Sequence, residues 1–335
     1  MVSSKDVAKL AGVSQTTVSR VLNTPELVHK NTREKVLNAI KELNYQPNSI
    51  ARSLVKNKTK TISLISGPLH NPFFSESTTS IVNYAKEKGY NVNVYFENSN
   101  NNAELYKSVF ANKVDGLVLS SIYYEDPIFY KLQKLNIPFV MFNRKHKEDG
   151  HYVEMDNVKA GKQATKHLID LNHRDIVWLG GSLEMSTFKG RFEGYKQTLI
   201  ENNIPFREEN VVIIDTNRQS VFKALDVIMS RETPPTAIHA ATDSIAIFVL
   251  DYLLGKNFKV PEYISVIGID NVDFSRHSSF QLSTVSTVSK KNLGRIAIEI
   301  LLNLLEEENK PHHFIQRTID TKLIPRKTTG KSRTC

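Results

Sequence analysis

Three short segments near the N-terminus carry apolar residues at helical spacing. In residues 5–11, Val7, Ala8, Leu10 and Ala11 fall on one stripe, with Ser4 placed to cap the start. Gly12 ends that segment, because glycine enters the left-handed conformation of a tight turn without steric cost. Ser14 follows as N-cap of a second helix. At about 100° per residue, Thr16 and Arg20 lie within roughly 40° of one another there, while Val18, Val21 and Leu22 point away. A third helix is predicted from Asn31 as N-cap with Glu34 as its capping-box partner, placing Val36, Leu37, Ile40 and Leu43 on one face. Pro47 breaks the pattern. Residues 48–54 suit one more short helix capped by Asn48, but seven residues do not hold a helix alone in water, so this segment needs a partner. Lys56-Asn57-Lys58-Thr59-Lys60 is a polar connector, and the domain boundary is placed there.

From Thr61 the period changes to short apolar strands alternating with amphipathic helices. Strands are predicted at 61–66, 91–96, 116–121, 137–142, 175–180, 211–215, 237–241 and 265–270. Helices fall near 73–88, 102–111, 126–135, 157–171, 187–203, 217–230 and 243–256, with a further helix at 290–307 and a last strand at 321–324. This alternation predicts an α/β body of parallel sheet covered by helices on both faces. Eight strands suffice for one closed barrel or two open sheets. Two successive blocks of four βα units, separated by the polar stretch 144–150, favour two sheets.

Charge sharpens the division. The chain of 335 residues carries +9, and residues 1–60 hold eleven basic side chains against four acidic ones, a net +7. Such a concentration suits a phosphate-binding module on a near-neutral body, since Lys and Arg bind the nucleic-acid backbone by releasing counterions. A basic membrane-surface helix is disfavoured, because residues 1–60 lack an aromatic-rich amphipathic face. The single cysteine, Cys335, excludes an intrachain disulfide framework and a multi-cysteine metal site. No apolar run approaches the ~18 residues of a membrane span, and the first residues do not open like a signal peptide, so a cytoplasmic protein is expected.

Two helices joined by a short glycine-containing turn form the unit whose second helix enters the DNA major groove. Gln15 and Thr16 at its N-terminal end are the candidates for meeting base edges, and Arg20 can pair bidentately with guanine. In the body, open parallel sheets bind ligands at the carboxyl ends of their strands. The residues there are Asn71, Phe73 and Phe74, Asn143 and Arg144, Arg191, Thr242 and Asp243, and Asp270 and Asn271. Rings, amides, two Arg and two Asp suit a neutral polyhydroxylated ligand; taken singly, Asp243 reads as a helix N-cap, Asn143 as a turn residue and Phe73 or Phe74 as core. Phosphate-cradling, dinucleotide-binding, zinc-hydrolase and nucleophile-elbow motifs are all missing, so no enzyme is expected. No cofactor or metal is implied, and His312-His313 reads as a solvated pair.

Lys5-Asp6-Val7-Ala8, Val18-Ser19-Arg20-Val21-Leu22-Asn23, Tyr45-Gln46-Pro47-Asn48 and Ile50-Ala51-Arg52-Ser53-Leu54 together resemble the LacI/GalR family of bacterial transcription repressors. The likeness continues through Val114-Asp115-Gly116-Leu117, Gly190-Arg191, Pro235-Thr236-Ala237, Ile264-Ser265-Val266-Ile267-Gly268 and Asp270-Asn271. The resemblance implies a helix-turn-helix headpiece with a hinge helix, followed by a two-lobed body like that of periplasmic binding proteins, built on two doubly wound parallel sheets. The expected domains are 1–57, with the hinge at about 48–56, and 58–335. Lobe one takes about 61–157 and 290–320; lobe two takes about 158–289 and 321–330.

The resemblance also implies a sequence-specific repressor. It would bind a pseudo-palindromic operator as a homodimer under the control of a small effector, a sugar or sugar derivative. Base-reading positions match Gln15, Thr16 and Arg20, and Ser14, Thr17, Ser19 and Asn23 match phosphate contacts. Arg52 and Leu54 match the hinge in the minor groove, with Leu54 as the wedge; Val55 stands where some members carry a lysine that enters the minor groove. The effector cleft matches Phe73, Phe74, Asn143, Arg144, Arg191, Thr242 and Asp270. A solute-binding protein for transport shares the two-lobed body, but it needs a secretion signal and no basic headpiece.

Overall fold

The computed structural model describes residues 2–46, 58–97, 102–306 and 313–333. The expected hinge helix with Arg52 and Leu54, and also His312 and Cys335, lie outside the described residues. The chain divides into two compact units, Met1–Thr59 and Lys60–Cys335.

The first unit holds helices α1 (Ser4–Ala11), α2 (Gln15–Asn23) and α3 (Lys30–Glu42). Val7, Ala8, Val18, Val21, Val36 and Ala39 form its core. Gly12 ends α1 at φ 67°, its N–H meeting the Ala8 and Lys9 carbonyls. Three expectations are corrected. The cap of α1 is Ser3 rather than Ser4, in a reciprocal box with Asp6. Helix α3 begins at Lys30 after His29, and no side chain caps it, so Asn31 and Glu34 do not form the expected box. Leu10 and Leu37 are exposed, because each lies about 100° round its helix from the middle of the buried stripe.

In the second unit, β1 (Thr61–Ser66), β2 (Asn91–Phe96), β3 (Gly116–Leu119), β4 (Phe139–Phe142), β5 (Tyr152–Met155) and β11 (Gln316–Ile319) form one parallel sheet, in the order β11-β5-β4-β3-β1-β2. The other sheet, in the order β12-β10-β9-β8-β6-β7, takes β6 (Ile176–Gly180), β7 (Val211–Ile213), β8 (Ala237–Ala240), β9 (Ser265–Ile269), β10 (Ser283–Thr287) and β12 (Thr321–Ile324). It is parallel except where β12 runs antiparallel to β10. The central strands β1, β3, β6, β8 and β9 are buried almost throughout, as sheets covered on both faces require. Ile62, Leu64, Ile81, Val118 and Leu301 belong to the core of the first lobe. Trp178, Leu179, Tyr195, Ile238 and Val266 belong to that of the second. Strands β5, β10 and β11 were not anticipated: the stretch 144–150 leads back into the same sheet rather than closing a block of four strands.

The chain passes between the sheets after Met155, between β10 and the helix Leu293–Glu306, and at Asp320 between β11 and β12. Among the described residues, no helix is long and apolar enough to cross a membrane.

A histidine inside the second lobe makes stability depend on pH. His239 is fully buried on β8, its Nδ1 3.0 Å from the Thr165 hydroxyl. Burial, then the charge of Arg191, holds its pKa down to about 3. Between pH 3 and the ordinary value near 6.5, the unfolded chain binds a proton that the folded chain refuses. Stability from this group is therefore full above 6.5 and lost as pH falls toward 3, by about 1.4 kcal/mol per pH unit. Denaturant titrations between pH 7 and pH 5 should show this loss, and His239→Asn should flatten it; an unchanged slope in that variant would remove His239 as the cause.

Candidate DNA-reading helix and ligand cavity

The turn at Gly12 and the cap at Ser14 present one face of α2 to solvent. Ser14 Oγ accepts the Thr17 N–H at 3.1 Å and shares a 2.9 Å hydrogen bond with the Thr17 hydroxyl. Gln15, Thr16, Ser19 and Arg20 are exposed, while Val18 and Val21 enter the core. The four exposed residues span an arc of about 140°, since 3.6 residues complete a turn. Asn23 donates back to the Ser19 carbonyl and hydroxyl at 2.9 and 3.2 Å, which ties the end of the helix to its middle. The face therefore offers an amide, hydroxyls and one guanidinium, the groups that read base edges and phosphates.

Within the second unit, a cavity of about 510 Å³ opens between the two sheets. Phe73, Phe74, Asn143, Arg144, Arg191, Thr242 and Asp270 all line it. Each follows the carboxyl end of a strand, as the rule for open parallel sheets predicts. Asn71 caps the helix Pro72–Glu87 through the Phe73 N–H, and the rings of Phe73 and Phe74 meet edge to face at 5.3 Å. Hydrogen bonds cross from lobe to lobe around the cavity. Ser244 donates to Asn71 Oδ1 at 2.7 Å, Thr187 to the Asn143 carbonyl at 2.6 Å, and the Lys145 N–H to Ser186 Oγ at 3.0 Å.

Arg191 is the anchor of the cavity. Its helix, Ser186–Glu201, packs so closely on Asn157–Asp170 that a Cβ on Gly194 would stand 2.2 Å from the Val158 oxygen. That approach brings the 1% exposed guanidinium to three acceptors: Asn157 Oδ1 at 3.0 Å, the Ala241 carbonyl at 2.6 Å and Asp270 Oδ1 at 2.7 Å. Asn157 in turn donates to Glu154, which pairs with Lys145 at 2.6 Å, so the array runs from one lobe into the other. Asp243, expected as an N-cap, is the first helical residue; Thr242 is the cap. The Asp243 carboxylate instead accepts from Thr284 Oγ1 at 2.5 Å and from the Val272 N–H at 3.0 Å. Burial, reinforced by the nearby Asp270 charge, pushes its pKa up to about 7. Burial also raises Asp270, against the pull of Arg191. Across the cavity, buried Arg144 donates to the Ser121 carbonyl at 2.9 Å and lies 3.7 Å from Glu97.

A model of bacterial regulatory proteins of the lacI family matches residues 4–48, and one of a periplasmic binding protein-like domain matches residues 165–329. The HTH-type transcriptional repressor PurR of Actinobacillus pleuropneumoniae serotype 5b (strain L20) is 36% identical over 312 residues, covering 91% of this chain and 92% of the relative. This chain belongs to the LacI family of bacterial regulatory proteins. It is a LacI-type DNA-binding transcriptional repressor, not an enzyme, and it acts on operator DNA under a small-molecule effector. The lac repressor dimer bound to operator and the anti-inducer ONPF has the same fold, with TM-score 0.85 and 27% identity over 98% of this chain and 99% of that one. The transcriptional regulator CelR in complex with cellobiose matches with TM-score 0.72 and 28% identity over 98% and 100% of the two chains.

In this LacI-family chain the cavity also takes Tyr123, Gly181, Ser182, Met185, Thr187, Phe188 and residues 213–216, none of which was singled out beforehand as a ligand residue. Asp215 carried a usable signal, standing at the carboxyl end of the strand predicted at 211–215; Ile213 lay in the middle of that strand and comes to its end only because β7 stops there. Tyr123 and Met185 carried none, because their positions depend on loops with no periodicity.

Proposed function

We propose that residues 1–57 form the DNA-binding headpiece and hinge, and that residues 58–335 form the effector-binding and dimerisation body of a cytoplasmic homodimer on a pseudo-palindromic operator. Gln15, Thr16 and Arg20 read bases, while Ser14, Thr17, Ser19 and Asn23 take the backbone. The observation that carries this reading is the exposed polar arc of α2, standing over a core of Val18 and Val21 in the most basic part of the chain. Arg20→Ala should cost about 1–3 kcal/mol and relax preference at one base position, as loss of a bidentate guanine contact does. Competition binding against single-base operator variants measures this; an unchanged profile removes Arg20 from the reading set.

The effector is a sugar or sugar derivative held by Phe73, Phe74, Asn143, Arg144, Arg191, Thr242 and Asp270. The guanidinium and carboxylate of Arg191 and Asp270 stand side by side, so neighbouring hydroxyls of a ring can accept from one and donate to the other. Aromatic rings cover the apolar face of such a ring. The cellobiose complex of CelR supports the ligand class. Thermal-shift titration with sugars, glycosides and purines decides the matter: a shift with purines alone would replace this reading with a base-binding cavity.

A further inference from the structure

The amide of Gln15 is not free on the surface of α2: its Nε2 donates to Ser4 Oγ, on the first turn of α1, at 2.8 Å. We propose that Ser4 is a positioning residue for base readout, holding the Gln15 amide so that its remaining N–H and Oε1 face an adenine. The inference rests on the reading of α2 above. A glutamine side chain otherwise samples many rotamers, and immobilising them at a DNA interface opposes binding. With one amide hydrogen taken by Ser4, a donor and an acceptor remain in one plane. That pair matches adenine N7 and N6 in the major groove, whereas guanine presents two acceptors there. The hydrogen bond gains strength when DNA excludes water from it.

Ser4 has no other structural duty that its replacement would disturb. The capping box of α1 belongs to Ser3 and Asp6, and the headpiece core is formed by Val7, Ala8, Val18, Val21, Val36 and Ala39. Ser4→Ala should therefore leave α1 capped and the headpiece folded.

The test is selection by the full chain from a randomised duplex pool, followed by competition binding with the four bases at each half-site position. The wild type should enrich adenine at one position per half-site, and Gln15→Ala should lose that preference. Ser4→Ala should reduce it about tenfold at the same position and nowhere else, while Ser4→Thr, which keeps the hydroxyl, retains it. In the double variant, Ser4→Ala should add nothing to Gln15→Ala, the coupling expected of two side chains acting as one unit. Several results overturn the proposal. If Gln15→Ala loses the preference and Ser4→Ala keeps it, Gln15 reads alone and only the role of Ser4 fails. If Gln15→Ala changes no position, the reading of Gln15 itself fails. Guanine at the affected position means that the amide presents two donors. Uniform weakening of all sequences by Ser4→Ala makes Ser4 a phosphate contact.

Discussion

Arg191→Ala should lower the stability of the Lys60–Cys335 unit by about 3–5 kcal/mol, the cost of removing one partner from a buried ion pair, and erase the response to effector. The guanidinium is 1% exposed and serves Asp270, Asn157 and the Ala241 carbonyl at once, so its loss strands a carboxylate and two neutral acceptors. Asp270→Asn keeps an acceptor facing Arg191 but leaves the buried guanidinium without its counter-charge, so it too should destabilise the unit and blunt the response. The deficit of Arg191→Ala should also depend on pH in a defined sense. Burial already raises Asp270 and Asp243, and without Arg191 the folded state favours their protonated forms more strongly. A carboxyl whose folded pKa is raised contributes stability at low pH that is lost as pH rises through the folded value. The gap between variant and wild type should thus be widest near pH 8 and narrower near pH 5. Urea denaturation at both values measures it; equal gaps would mean that unpaired charge is not what destabilises the variant.

What could be read beforehand in the chain divides along burial. Strands whose apolar runs are covered on both faces, such as Thr61–Ser66 and Ile176–Gly180, stand out from residue type alone. Gln316–Ile319 is an edge strand with one buried-side neighbour, and Ser283–Thr287 is mostly hydroxyls. Neither has the apolar content that marks a strand, and pairing with a neighbour is what makes them strands. Glu154 hid Tyr152–Met155 in the same way, because its burial beside Lys145 is a tertiary fact. Strand ends follow from strand positions and offered ten residues for the cavity, of which Asp243 and Asn271 do not line it; the seven that the resemblance implied all do. The raised pKa of Asp243 was not legible in this way: it needs full burial and the approach of Asp270 from a separate strand end, which outweigh the hydrogen bonds from Thr284 and Val272 that favour its carboxylate. At Asn31 and Glu34 the residue types permit a capping box, yet α3 starts two residues earlier, after His29, while the box that does form uses Ser3 and Asp6.

The fragment Lys60–Cys335 should remain folded and lose essentially all affinity for operator. Residues 1–60 hold a net +7 of the chain's +9, and every residue proposed to touch DNA lies within them. Phosphate contacts dominate affinity through counterion release, each contributing about −0.9 to the slope of log K against log salt, so both the binding and its steep salt dependence should vanish together. The fold should tolerate the loss because the hydrophobic clusters do not share residues across the division: Val7 to Ala39 form one, and the sheets of the second unit form the others. Its thermal transition should therefore match that of the body in the full chain. Retained operator binding with its salt slope would move the DNA-reading surface out of α2 and into the body.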